Sequence, residues 1–183
     1  MTTKLFTKDI LKIIGLGSVI VASGVFPNLP IALIATHKLF KNLDKRDLGR
    51  IITRLKKQQM ISISEKSGQT SIKITDKGQN RLLEYDFENI QLKAKKRDGK
   101  FRLIIFDIPE KQRSSRDILR KKLEQLGFVR LQISVYVSAF PCKNEIDFLS
   151  HYLGLSNNIT LLVVDHIERG QDLIFKKYQG LDY

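Results

Sequence analysis

Three patterns in the 183-residue chain predict an α+β fold, an N-terminal winged helix-turn-helix followed by a ferredoxin-like βαββαβ domain. A basic amphipathic segment near residues 44–58 is followed by two short alternating runs and a further helix. From Phe101 onward, apolar strand-like runs alternate with two amphipathic helices. A charged, Gly-containing stretch over residues 91–100 lies between the two patterns. The expected division is an apolar helical segment over 1–42, a winged-helix DNA-binding domain over 43–90, a basic linker over 91–100, and a ferredoxin-like domain with its tail over 101–183.

The first 42 residues are the hardest to read. Ile13 to Thr36 is a run of 24 residues without a formal charge, long enough to span a bilayer. Pro27-Asn28-Leu29-Pro30 breaks it as a turn, with Pro30 suited to the first turn of a new helix. The break leaves one helix near 7–25 and another near 30–41, each too short to cross. Two buried or oligomer-facing helices are therefore expected rather than a membrane anchor, and no membrane partner is expected.

Asp44 can cap a helix running to about Gln58. Leu48, Ile51, Ile52 and Leu55 fall at i, i+3, i+4 and i+7, which is one helical face. The remaining surface carries Lys45, Arg46, Arg50, Arg54, Lys56 and Lys57. Met60 to Ile63 and Ser71 to Thr75 then alternate around the polar turn Glu65-Lys66-Ser67-Gly68-Gln69, a hairpin pattern. Thr75-Asp76-Lys77-Gly78 opens the next helix. A helix of this kind fits a major groove while a hairpin rests on the neighbouring backbone. The candidate DNA-binding residues are Lys45, Arg46, Arg50, Arg54, Lys57, Lys66 and Lys73. Lys93, Lys95, Lys96 and Arg97 either reinforce that surface or belong to a solvated linker.

In the second half, Phe101 to Asp107 reads as a central strand. A helix with Ile118, Leu119, Leu123 and Leu126 follows and stops at Gly127. Phe128 to Ser138 reads as two short strands or one bent strand. Lys143 to Leu153 is the second helix, and Ile159 to Ile167 the last strand, containing Asp165.

Composition narrows the function. The net charge is +13, with 42% hydrophobic residues, enough to bury a core. Residues 1–100 hold 20 Lys and Arg against 9 Asp and Glu, and residues 101–183 hold 12 against 10. The basic excess thus sits in the first half and points to a polyanionic partner for that part. One cysteine, Cys142, excludes an internal disulfide framework, and with three histidines it excludes a Cys-rich zinc module. Walker, dinucleotide-binding and serine-elbow motifs are absent from the sequence. Cys142 reads as a free structural thiol, and His151 and His166 as isolated surface or packing residues.

The second half carries a family resemblance. Arg97-Asp98-Gly99-Lys100-Phe101-Arg102-Leu103, Phe106-Asp107-Ile108-Pro109-Glu110, Arg113 and Arg116, Gly127-Phe128 and Ser134-Val135-Tyr136 together resemble the PaaX family of repressors. That family joins a winged helix to a ferredoxin-like domain and usually has Trp where this chain has Phe101 and Tyr136. The same stretch is similar to the CRISPR-associated Cas-two nucleases through Asp107, the Arg-rich helix start, and Gln132, Ser134 and Val135. The resemblance spans roughly residues 43–167, and residues 1–42 fit neither pattern.

The resemblance implies a cytoplasmic, homodimeric transcription regulator, a repressor that binds double-stranded DNA without a cofactor. The rival it also implies is a metal-dependent endonuclease, or a spacer-acquisition subunit meeting CRISPR adaptation proteins. In that reading Asp107 is the catalytic and metal residue, holding Mg or Mn with its counterpart from a second protomer. Against it, Asp107 can simply cap the following helix. The regulator is favoured because one carboxylate per chain is a sparse site for a hard cation.

Overall fold

The computed structural model describes residues 3–15, 19–22, 45–66, 69–94 and 96–178. The expected helix at 30–41, the Pro27–Pro30 turn, the Asp44 cap and Lys95 lie outside the described residues. The chain is α+β with two antiparallel sheets, divided between one unit of residues 1–88 and a second of residues 89–183.

The first unit runs α1 (Thr3–Gly15), β1 (Val19–Ala22), α2 (Lys45–Lys57), β2 (Ile61–Lys66), β3 (Gln69–Ile74) and α3 (Asp76–Glu88). Its sheet has the order β1-β3-β2, with Val19 opposite Ile72 and Ile61 opposite Ile74. The helix expected over 7–25 is corrected here: it ends at Gly15, and Val19–Ala22 is a strand. The β-branched run Val19-Ile20-Val21 favours an extended backbone, and β3 offers the edge that pairs with it. One core joins Ile10, Leu11, Ile13 and Ile14 of α1 to Leu48, Ile51, Ile52 and Leu55 of α2, with Ile61, Ile72 and Tyr85. The apolar start of the chain is thus core for the same unit that carries the basic helix. Among the described residues, no helix is long and apolar enough to cross a membrane.

The second unit runs β4 (Phe101–Phe106), a 3-10 turn (Glu110–Gln112), α4 (Arg113–Gln125), β5 (Val129–Gln132), β6 (Val135–Ser138), α5 (Lys143–Tyr152), β7 (Ile159–Val164) and α6 (Gln171–Tyr178). The sheet order is β5-β6-β4-β7, and every neighbouring pair is antiparallel. Each helical crossover therefore skips one strand: α4 leads from β4 past β6 to β5, and α5 leads from β6 past β4 to β7. Gly127 (φ 86°) stops α4 in the left-handed region, with its N–H donating to Glu124 O and that of Phe128 to Leu123 O.

The two faces of the second sheet differ. Arg102, Ile104 and Phe106 alternate onto one face and are buried. Arg120 of α4 lies 5.8 Å above the Phe106 ring, and Tyr136, on β6, donates its hydroxyl to Glu124 at 3.2 Å. Phe101, Leu103 and Ile105 alternate onto the other face. There α6 buries Ile174 and Tyr178 against Phe101, Val137 and Ala139. Residues 171–178, expected as tail, are a packed helix in which Ile174 and Tyr178 are buried. Asp165, expected inside the last strand, lies beyond the end of β7 and pairs with Lys100 at 3.5 Å.

Candidate nucleic-acid interface

Helix α2 is built from a seat and an outer surface. Leu48, Ile51, Ile52 and Leu55 are buried and fix its rotation on the core. At 3.6 residues per turn, positions 46, 50, 53 and 57 fall opposite that seat. Arg46, Arg50, Thr53 and Lys57 are all exposed, so they form an outward stripe along the helix. Part of the charge also serves the helix itself. Asp47 lies in the first turn and Arg54, Lys56 and Lys57 in the last, each of the sign that the helix dipole favours.

The end of α2 is locked to the hairpin. Gln59 takes a left-handed φ of 59°, its N–H donates to Lys56 O, and the N–H of Met60 donates to Leu55 O. The Thr75 hydroxyl donates to Gln59 O at 2.6 Å and accepts from the Gly78 N–H at 3.2 Å, so one side chain ties the α2 terminus to the start of α3. The Thr75 N–H donates to Met60 O at 3.1 Å. These bonds hold β2 and β3 at a set distance from the basic helix.

The expected binding residues do not all share a surface. Arg46, Arg50 and Lys57 lie on the outward stripe. Arg54 sits on its flank and donates to the hydroxyl of Thr7, a buried residue of α1. Its guanidinium thus clamps two helices as well as carrying charge. Lys73 is exposed on β3 and pairs across the strand with Ser62, on the sheet face opposite Ile72 and the α2 seat. Lys45 begins α2 and Lys66 ends β2, but their side chains lie outside the described residues. Thr53 and Asp47 were passed over in the sequence because neither is basic; the rotation of the helix singles out Thr53, and the bond from Arg50 singles out Asp47.

In the second unit, Asp107 follows β4 and is exposed. Its backbone N–H donates to Asn158 O at 3.0 Å, and its carbonyl accepts from the Asn158 amide at 2.8 Å. The helix cap expected of its carboxylate does not form: the 3-10 turn is preceded by Pro109 and α4 by Gln112, and neither start has a side-chain cap. The Arg-rich helix start is neutralised locally, since Glu110 accepts from Arg116 at 2.9 Å and pairs with Arg113 at 3.5 Å. Among the described residues, no three His, Cys, Asp or Glu side chains come together as a metal site.

The motif around Asp98 has a structural task. Its carboxylate accepts from both Arg102 Nη atoms and, at 3.2 Å, from the Lys100 N–H, closing the turn in which Gly99 has a φ of 77°. The Arg102 guanidinium holds the Asp98 carboxyl well below the ordinary carboxylate range, and Asp98 in turn raises Arg102. Buried Glu145 accepts from the Lys93 N–H at 3.3 Å, so the segment expected as linker is fastened to α5. Burial pushes the Cys142 thiol up to about 12, which leaves it a packing residue. His151 is exposed on α5.

Residues 94–173 match the family described as the PaaX protein central Cas2-like domain. The matched stretch takes in the Asp98–Arg102 clasp and the start of α6, both outside the core of the expected domain. No curated protein matches the chain. Residues 94–173 are therefore similar to the PaaX central Cas2-like domain, which supports the resemblance to the PaaX-type family with a Cas2-like domain over that stretch.

Proposed function

We propose that the chain is a DNA-binding transcription regulator of the PaaX kind, a homodimer that reads double-stranded DNA through its first unit. The single observation that carries the reading is the outward stripe of Arg46, Arg50, Thr53 and Lys57 over a four-residue apolar seat. In this reading α1, β1, α2 and the β2–β3 hairpin form a winged helix beginning near residue 3, with α2 in the major groove. An α-helix with its side chains is about 10–12 Å across, which suits that groove. Arg46, Arg50 and Lys57 supply the charge, and Lys73 and Lys66 are left to the wing. The second unit, read as a ferredoxin-like plait, joins the protomers. Its sheet face carries half-open apolar positions at Ile105 and Leu162 where α6 does not cover it.

The test is duplex binding by the full chain over a salt series, with DNA from upstream of its own gene. Arg46→Ala, Arg50→Ala and Lys57→Ala should each lower the salt slope by about one. Variants that bind like wild type at every salt concentration would remove α2 as the reader. Incubation with Mg or Mn separates the enzymatic rival. Metal-dependent cleavage abolished in Asp107→Asn would overturn the regulator reading.

A further inference from the structure

Asp47 is the one acidic residue of α2, on a helix whose other charges are all basic. Its Oδ1 accepts from Arg50 Nη1 at 3.2 Å, and the two side chains are 60% and 78% exposed. A solvated i,i+3 pair contributes little to stability, and a carboxylate beside DNA phosphates opposes binding. A role in aiming Arg50 accounts for both facts. Arg54, the neighbouring guanidinium one turn on, is drawn sideways to Thr7. Arg50 lies on the outward stripe, and the bond through Nη1 leaves its Nε and Nη2 edge for a ligand. That planar edge carries two parallel N–H donors, which can meet guanine O6 and N7.

We infer that Asp47 is a positioning residue for Arg50, and that Arg50 so held is the specificity determinant that reads one guanine in the major groove. This rests on the proposed DNA-binding reading of α2. Fixing the long arginine side chain before contact limits the rotamers lost on binding. It also narrows the base edges the fork can reach. Asp47 thus trades overall affinity for selectivity at one base pair.

The experiment is selection from a randomised duplex library with the full-length chain, followed by sequencing. Wild type should prefer guanine at one position by about ten-fold or more. Asp47→Ala and Asp47→Asn should bring that position close to even and leave the others in place, with total affinity equal or higher. Arg50→Lys should lose the same position, and Asp47→Glu should restore part of it. A purely structural role for Asp47 predicts a lowered melting midpoint with preferences unchanged, or all positions weakened together; either result overturns the inference. Binding by wild type with no base preference also overturns it, while the DNA-binding reading survives. No binding to any library member at low salt overturns both.

Discussion

Gly78 shows how one missing methyl group holds a joint. A Cβ there would come within 2.1 Å of Met60 O and 2.7 Å of Ile74 Cγ1, against backbone that Thr75 and Gln59 have already tied down. Gly78→Ala should therefore destabilise the first unit by about 1–3 kcal/mol or more, despite the better helix propensity of alanine. A shift of the chemical-denaturation midpoint checks it, and an unchanged or raised midpoint would refute it. Asp98 makes a pH prediction. Its folded carboxyl titrates below the ordinary value of 3.8, so its bond to Arg102 contributes fully above that value and is lost as pH falls through the folded range. The second unit should weaken on acidification below about pH 4, and Asp98→Asn should be less stable near neutrality with a flatter acid limb. Unfolding midpoints followed from about pH 2 to pH 6 test both statements. The Thr75-Asp76-Lys77-Gly78 motif and the Asp98 motif were visible as residues. Their bonding was not, because Met60 and Arg102 become partners only after the turns close.

At the level of elements, α2 and α4 were legible because each shows its buried face as a 3.6-residue period. The hairpin was legible through alternation around a polar turn. Strand β1 and helix α6 escaped for opposite reasons. The four residues of β1 sit in an uncharged run that reads equally as helix, and their partner β3 lies some fifty residues on. Helix α6 has only eight residues, about two turns, too short to show a period. Helix α1 was expected as a buried or oligomer-facing helix over 7–25, and it is a buried one that spans Thr3–Gly15. Its Ile10, Leu11 and Ile14 are 0–1% exposed in the core beneath α2. Ile14→Ala should cost about 2–5 kcal/mol and loosen α2 with it. Amide exchange in residues 45–57 reports the coupling; exchange unchanged in α2 would show α1 to be separable.

The whole molecule adds the question of assembly. Leu162 is 41% exposed and Ile105 36%, on one face of the second sheet, with β7 at its edge. A solvated apolar sheet face beside an open edge favours association. Leu162→Glu should shift the chain from dimer to monomer in sedimentation equilibrium and leave the melting of the isolated protomer nearly unchanged. A wild type that remains monomeric at every concentration would remove the dimer, and with it any Asp107 site shared across a two-fold axis.

Local properties of the sequence were enough to determine the α+β class, the polarity of α2, the glycine stop of α4 and the concentration of positive charge in residues 1–100, because periodicity, backbone allowance and charge are written into consecutive residues. The tertiary structure alone decided that the apolar start feeds the core under α2, that Arg54 turns toward Thr7 while Arg50 meets Asp47, and that Lys73 lies across the sheet from the helix. It also decided that α6 buries Ile174 against the sheet and that the Asp107 carboxylate caps no helix. Each of these depends on which surfaces meet between segments distant in the chain. Burial and hydrogen-bond partners at such meetings are properties of the pair, and neither segment carries them by itself.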